Sequence, residues 1–569
     1  MIRRAQLESW KWFWGRLVRL RRLLIGCILL ALLQSMTMPP TAWLIRRILD
    51  VAIPSRNVRQ MMLLGLCILG CNLASAGFAL GTRFLSLRTT KIAVSKMRHL
   101  LLQRCFELPR SVHDTLDRGD LHTLLVQDTQ LVDVMSNALI SGLMPSTLIS
   151  ILLIALLAVM NLRLLAVLML IGPLLYLVNY RLKSLVMAWV DRTRGSFAHF
   201  SSGVHFVLSK LDLARYQSAE RAEIQRQYGR IEQQRVDSER MAWLQSAYGL
   251  VQNTIITISG IFILVIGGTQ VVSGKMSLGS LLSFYVIFAM LGSNLQQVFG
   301  AIPPIITGNQ SLCALYVFYS IDAEPPYSGT MQCKYTGSIE LRSVSFRYKT
   351  QSVLNNISLR LEPGSVTAIM GPNGGGKTTI ARLILGQYRP DQGELFADGV
   401  SYDQLDIEQL REGIAFTPQD PVLFSGSIWA NVSYGMLEAD AENVSRACQI
   451  ALVDDFVCSL PKGYDTEVGE EGGSLSGGQR QKIAIARAVA RHPHLLILDE
   501  LTNHLDQMSA QQMLRNLKAM PDRPTLLIIT QDSAIAREAQ FRYWLEYGNL
   551  TLQDDNRKSK AELFSVGLS

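Results

Sequence analysis

The residues of greatest chemical consequence in this chain fall into three groups. Gly371-Pro372-Asn373-Gly374-Gly375-Gly376-Lys377-Thr378, followed by Thr379, fits the spacing G-x-x-x-x-G-K-[ST]. Glycines so spaced let successive backbone N–H groups converge on phosphate oxygens, and a helix beginning directly behind them adds its positive end. Lys377 is expected to bridge the β- and γ-phosphates of ATP, and the Thr378 hydroxyl to hold Mg²⁺. Leu495-Leu-Ile-Leu-Asp499-Glu500 is an aliphatic run that ends in two carboxylates. Asp499 is expected to reach the same Mg²⁺, and Glu500 to act as the general base that polarises an attacking water. Leu475-Ser476-Gly477-Gly478-Gln479 precedes a helical pattern running to about Val489, whose N-terminal dipole suits a phosphate. Together these residue types imply ATP binding and hydrolysis with Mg²⁺.

Such groups work only when strands and helices hold them. Val366-Thr-Ala-Ile-Met370 reads as a buried strand running into the glycine loop, with a helix from Thr378. Ile339–Phe346 and Pro524–Ile529 read as further strands, so the C-terminal half, 323–569, is expected to be an α/β P-loop ATPase domain. The segment Asp322-Ala-Glu-Pro-Pro-Tyr327 reads as the linker before it. The N-terminal half, 1–322, is different. A mean hydropathy of +0.20 and 49% hydrophobic residues over 569 residues are high for a soluble protein, and the excess lies here. A membrane-crossing helix needs roughly 20 apolar residues. Six stretches qualify, about 18–49, 60–86, 136–160, 163–182, 246–272 and 278–308. The fold class is therefore a six-helix α-helical membrane domain fused to an α/β ATPase domain.

Inside the first stretch, Pro39-Pro40 predicts a kink or break. Basic residues cluster in the N-terminal segment (Arg3, Arg4, Arg16, Arg19, Arg21, Arg22) and in the long connections at about 87–135 and 183–245 (among them Arg88, Lys91, Arg98, Arg192, Arg194, Arg221). By the positive-inside tendency these parts face the cytoplasm, and an even number of spans returns the ATPase domain there too. The net charge of +9 is assigned to these loops and not to nucleic acid. The long connections are expected to carry the spans onward as helices. Trp10, Trp12, Phe13 and Trp14 among basic residues read as an interfacial helix or as the flank of the first span. Asn72, Asn179, Gln252, Asn253, Asn294, Gln296 and Gln297 lie at or near membrane depth, which fits either interhelical hydrogen bonding or a cavity for an amphipathic substrate. The eight cysteines form no C-x-x-C pair, and neither a disulfide framework nor a zinc site is indicated. No small-residue cleavage site follows a short apolar core, so a removable signal peptide is not expected.

The glycine loop, the LSGGQ run and the aliphatic strand ending in Asp-Glu, in that order, resemble the nucleotide-binding domain of the ATP-binding cassette (ABC) family. The loop rhythm of the N-terminal half, Ile45-Arg-Arg-Ile-Leu-Asp50 and Gly119-Asp-Leu-His-Thr-Leu-Leu-Val-Gln-Asp128 are similar to the family's exporters. The resemblance implies further roles. Tyr348 would stack on adenine. Gln419, in Phe416-Thr-Pro-Gln419, would be the glutamine that senses Mg²⁺ and the attacking water. Ser476, Gly477, Gly478 and Gln479 would close over ATP held by a second cassette. Phe424-Ser-Gly-Ser-Ile428, Asn431 and Thr466-Glu-Val-Gly-Glu470 also resemble exporters. The implied protein is a half-transporter in the inner, cytoplasmic membrane, working as a dimer, a homodimer in preference to a heterodimer, that exports a peptide, lipid or drug-like molecule. A lipid flippase is a further alternative.

Two positions depart from the family pattern. Leu501-Thr-Asn-His-Leu-Asp506 stands where exporters usually have S-A-L-D, and resembles soluble tandem-cassette translation factors instead. Gln531 stands where most members place a histidine. A glutamine amide can donate to phosphate but cannot become a cation or transfer a proton. The expected outcome is slow hydrolysis supported by Glu500, with a catalytically degenerate subunit of a heterodimer as the alternative.

Overall fold

The computed structural model describes residues 2–116, 118–436, 440–469 and 472–553. Side chains of residues 2–5 and 118, and of most residues between 167 and 191, fall outside that description, which takes in Arg3, Arg4 and Asn179; Glu470 falls outside it as well. The chain divides into two compact units, one of residues Met1–Phe106 and Leu116–Asp322, the other of Glu107–Thr115 and Ala323–Ser569.

The first unit is helical. Val58–Glu107 is one helix of 50 residues and Glu220–Val272 one of 53. At about 1.5 Å per residue each exceeds about 70 Å, more than twice the roughly 30 Å of bilayer hydrocarbon, so the helices continue well beyond any membrane. The long basic connections are thus the ends of the membrane helices themselves, as expected. Among the described residues five helices are long and apolar enough to cross a membrane: Arg21–Ala52, Val58–Glu107, Gly119–Met160, Glu220–Val272 and Leu278–Tyr319. The remaining apolar stretch, 163–182, falls in the helix Leu162–Ser209; most of its side chains lie outside the description.

Proline placement shapes these rods. The first apolar segment breaks at Thr37 and restarts as Met38–Arg47 with Pro39 and Pro40 in its first turn, where a missing N–H costs nothing. Asp50, in the turn that follows, accepts from the Gly279 N–H at 2.9 Å and from the Ser277 hydroxyl at 2.5 Å. The start of the Leu278–Gly300 helix is thereby clasped to the end of the first segment.

The N-terminal helix Ile2–Val18 finds its partner inside the protein. Phe13 and Leu17 are buried, Trp10 Nε1 donates to Asn309 at 2.6 Å, and Trp12 lies 5.3 Å from the Tyr319 ring. Its aromatic face packs on the helix Ile302–Tyr319, while Trp14 is exposed. Of the polar residues at membrane depth, Gln297, Gln296 and Asn253 join helices. Ser146 donates to Gln297 at 3.0 Å and Gln296 to Asn253 at 3.1 Å, whereas Asn72 and Asn294 bond to carbonyls within their own helices. Interhelical bonding, one of the two expectations, accounts for the bridging pairs.

The second unit holds a six-stranded sheet in the order Asn549–Leu552, Phe541–Glu546, Val366–Met370, Thr525–Ile529, Leu495–Asp499, Ile414–Thr417. All neighbours run parallel except the Asn549–Leu552 edge. The three central strands are buried at every position, which matches their unbroken aliphatic sequences. A second, antiparallel sheet carries Gln351–Leu361, Ile339–Tyr348, Gln392–Ala397 and Val400–Ser401. In a parallel sheet ligands bind beyond the carboxyl ends of the strands. Met370, Asp499 and Ile529 all terminate there.

Candidate functional site

At Gly371 and Gly376 the glycine loop has neighbours that leave no room for a side chain. Gly371 has φ +151°, and a Cβ on it would lie 2.1 Å from the Leu545 carbonyl oxygen. Gly376 has φ +99° and caps the helix Lys377–Ile384 in the left-handed region. The loop backbone is therefore exposed to a ligand, the requirement for a phosphate cradle.

Four side chains meet at the loop's mouth. Lys377 is buried, and its ammonium donates to the carbonyls of Gly371 at 2.8 Å and Pro372 at 3.0 Å. Thr378 Oγ1 donates to Asp499 Oδ2 at 2.8 Å. Glu500 is 6% exposed and its Oε1 lies 3.9 Å from Lys377 Nζ. Its backbone sits at φ +54°, a left-handed conformation that is uncommon for a glutamate and concentrated at functional sites. The Glu500 N–H donates to the Ile529 carbonyl at 2.8 Å, which fixes that turn against the neighbouring strand.

Gln531 belongs to this cluster. Its Nε2 donates to Glu500 Oε1 at 2.9 Å and also to Asn373 Oδ1 in the glycine loop. The amide thus bridges the carboxylate and the loop.

Two buried carboxylates face one buried ammonium. Burial pushes the Asp499 carboxyl above the usual aspartate range, opposed by the Thr378 hydroxyl, and the nearby Glu500 pushes it further. Burial also pulls the Lys377 ammonium down, opposed by Glu500 and Asp499. Among the described residues, Asp499 Oδ1 is buried with no hydrogen-bond partner. An unpaired carboxylate oxygen beside a threonine hydroxyl is an oxygen donor set suited to Mg²⁺, so the residues present fit a divalent cation.

The other residues singled out from the sequence stand around this cluster. The Tyr348 hydroxyl is 3.4 Å from Thr379 Oγ1 and accepts from Arg382 at 3.4 Å. Its ring meets Phe346 and Tyr388 edge-on and lines a cavity of about 680 Å³ with room for a purine. Gln419 is exposed, two residues past the strand Ile414–Thr417 that pairs with Leu495–Asp499. Among the described residues no hydrogen bond joins Gln419 to Thr378, Asp499 or Glu500. Ser476 and Gln479 form a reciprocal capping box at the start of the helix Gly477–Ala490: the Ser476 Oγ accepts from the Gln479 N–H and Gln479 Oε1 from the Ser476 N–H. This run is likewise not hydrogen-bonded to Lys377, Asp499 or Glu500 among the described residues. Asn431 is buried and brackets the Phe424 backbone at 3.1 and 2.9 Å. Arg487, on the Gly477–Ala490 helix, donates to Asn431 and to the Val422 carbonyl.

The helical unit contains a cavity of about 960 Å³. Apolar walls from Leu125, Val134, Val190, Phe197 and Met241 carry the amides of Gln127, Gln130, Gln234 and Gln245. Arg194 donates to Asp128 at 2.8 Å, and Ser311 to the same oxygen at 2.6 Å. Sequence reading noted Arg194 and the stretch ending at Asp128 but missed that these residues converge, because they lie on four different helices, beyond the apolar windows.

Comparison with known proteins agrees with this arrangement. Residues 24–295 match the model of the ABC transporter transmembrane region, and residues 354–503 that of the ABC transporter. The chain is 34% identical to antigen peptide transporter 2 of Rattus norvegicus over 61% of its own length and 50% of that protein's. It is 30% identical to the mitochondrial ATP-dependent permease MDL1 of Schizosaccharomyces pombe over 82% of its length and 64% of that protein's. The chain thus spans about half to under two thirds of these relatives. A bacterial Atm1-family ABC exporter solved with ATP bound has the same fold, with a TM-score of 0.84 over 96% of each chain at 22% identity.

Proposed function

This chain belongs to the ABC transporter family and is a multi-pass membrane protein; from that premise we propose that it is a half-transporter that uses ATP hydrolysis to export an amphipathic molecule. The observation that carries the reading is the cluster of buried Lys377, Asp499 and Glu500 with half-buried Thr378 at the mouth of the glycine loop. Loop N–H groups and Lys377 bind the phosphates of ATP, and Tyr348 borders the base. Thr378 and Asp499 would hold Mg²⁺, which when bound would supply charge neutralisation to the phosphates. Glu500 takes the proton of the attacking water. Gln531 holds Glu500 by Oε1, which leaves Oε2 to that water. Because an amide cannot carry charge, this support is weaker than a histidine's, and turnover is slow.

Ser476, Gly477, Gly478 and Gln479 serve the ATP of a second cassette, so the working unit is a dimer, a homodimer in preference to a heterodimer. Gln419 senses the site from its exposed bend. The membrane domain is residues 1–322, with six helices, and the ATPase domain 323–569. The cavity of about 960 Å³ supports an amphipathic cargo, a peptide, lipid or drug-like molecule, since its walls are apolar and its amides can both donate and accept. The membrane is the cytoplasmic one.

Phosphate release from Mg·ATP by the purified chain in phosphatidylethanolamine–phosphatidylglycerol vesicles tests this, with Lys377→Ala as the control. Mg²⁺-dependent turnover lost in the control supports it. No turnover from the single gene product would overturn it in favour of a catalytically degenerate subunit of a heterodimer, the reading that Gln531 alone favours.

A further inference from the structure

The histidine in Leu501-Thr-Asn-His-Leu-Asp506 has no counterpart in the usual exporter pattern, and the reaction outlined above makes no use of it. In the structure it touches two other functional segments at once. His504 Nε2 lies 3.5 Å from Asp420 Oδ1, directly after Gln419. On its other side it covers the signature glycines. A Cβ on Gly477 would lie 2.9 Å from His504 Nδ1, and one on Gly478 would lie 2.7 Å from the His504 carbonyl. The absence of side chains at Gly477 and Gly478 is what lets this residue lie against them.

We propose that His504 is a positioning residue, a strut that ties the Gln419–Asp420 bend to the Gly477–Gly478 turn within one cassette. The opposite end of the same bend is already fastened to the signature helix, through Arg487 to the carbonyls of Val422 and Asn431. Between that anchor and the strand end at Thr417, Gln419 and Asp420 are both exposed, and His504 reaches Asp420. Displacement of the bend is thereby passed to the turn that presents Ser476 and the two glycines. The proposal rests on the reading of Gly477–Gly478 as the surface offered to a second cassette, but the strut itself is intramolecular.

Asp420 is 91% exposed at its side chain, so the contact is modest and can be cut without disturbing the core. Pairs of that kind shift an equilibrium by about two- to fivefold. The test uses the full chain in lipid nanodiscs and amide hydrogen exchange read at Ser476–Gln481. Asp420→Asn and His504→Ala each raise exchange of the Gln479 and Arg480 amides, which donate to the Ser476 hydroxyl and carbonyl, by about two- to fivefold. The double variant exchanges no faster than His504→Ala, and His504→Gln, which keeps a donor, recovers most of the protection. A purely structural histidine would let His504→Ala act while Asp420→Asn did nothing. Wild-type exchange at Gln479 and Arg480 in Asp420→Asn, or effects that multiply in the double variant, would overturn the strut. Should His504→Ala fail to fold, Asp420→Asn alone still decides, since it alters only an exposed side chain. Exchange needs no turnover, so an ATPase-silent wild type refutes hydrolysis by the single gene product and leaves this result standing or falling by itself.

Discussion

Removing the Gln531 amide probes the chemistry most economically, because it ties the proposed base to the glycine loop, with one hydrogen bond to Glu500 and one to Asn373. Gln531→Ala deletes the donor at 2.9 Å from Glu500 Oε1 and the link to Asn373. Glu500 then keeps, as its nearest cation, Lys377 at 3.9 Å. A hydrogen bond to a charged group contributes about 1.5–3 kcal/mol, and each 1.4 kcal/mol or so is tenfold in rate. Gln531 is itself exposed, so water replaces part of the loss and the lower end applies. Turnover at saturating Mg·ATP is expected to fall about tenfold, with the affinity for a fluorescent ATP analogue unchanged because Lys377 and the loop are intact. Gln531→His adds a group able to carry charge beside Glu500 and is expected to raise turnover above wild type. Phosphate release and nucleotide titration on the same preparations separate the two effects. Gln531→Ala turnover above half of wild type would refute the bridging role, and an unchanged or lower rate in Gln531→His would refute the claim that the glutamine limits hydrolysis.

Glu500→Gln should lower hydrolysis by at least about a hundredfold while nucleotide still binds, as expected for loss of a general base; rapid turnover in this variant would remove Glu500 from that role. Gly371→Ala meets a carbonyl oxygen at 2.1 Å, whereas Gly374→Ala at φ +76° meets nothing within 4 Å. The first should abolish nucleotide binding, and the second should cost only about 1 kcal/mol of backbone strain, read as a small loss in thermal stability; equal effects would contradict the account of the loop. Burial holds the Asp499 carboxyl above the usual aspartate range, and Mg²⁺ needs the ionised form. Affinity for Mg·nucleotide should therefore fall as pH drops through that raised value, with a proton released on binding, while Mg²⁺-free nucleotide shows no such step. Because the folded value is raised above the unfolded one, the same group favours the metal-free fold at low pH and loses that contribution as pH rises through its folded value. Asp499→Asn should abolish the pH step; a step that survives it belongs to another group.

The nucleotide half was legible in the sequence because its chemistry is local. Asn373 to Thr379 lie on one loop and the helix it caps, and the aliphatic run Leu495–Leu498 announces the strand that delivers Asp499 and Glu500. Pro39-Pro40 likewise marked the break at Thr37. The less visible features depend on pairs far apart in the chain. Gln531 reads as a missing histidine, and its bridge appears only when the fold brings it to Asn373, 158 residues away. Gln296 and Asn253 each look like cavity residues until they are seen to bond to one another. The N-terminal aromatics carry an amphipathic pattern that fits a membrane surface and a protein groove equally well; burial of Phe13 and Leu17 against the Ile302–Tyr319 helix decides for the groove. That the membrane helices run on into the long basic connections was legible; where each one stops was not, since a helix leaving the bilayer changes its composition without changing its backbone.

The claim that one chain's Ser476–Gln479 completes the ATP site of another is tested most directly by complementation. Lys377→Ala removes the phosphate lysine and Gly477→Asp blocks the signature turn, and each alone should be inactive in vesicles. Co-expressed and purified together, the two should pair so that one intact loop faces one intact signature. With random pairing in a two-fold dimer, Mg·ATP turnover should return to about a quarter of wild type. Mixed preparations as inactive as either variant alone would contradict the trans arrangement and the dimer built on it.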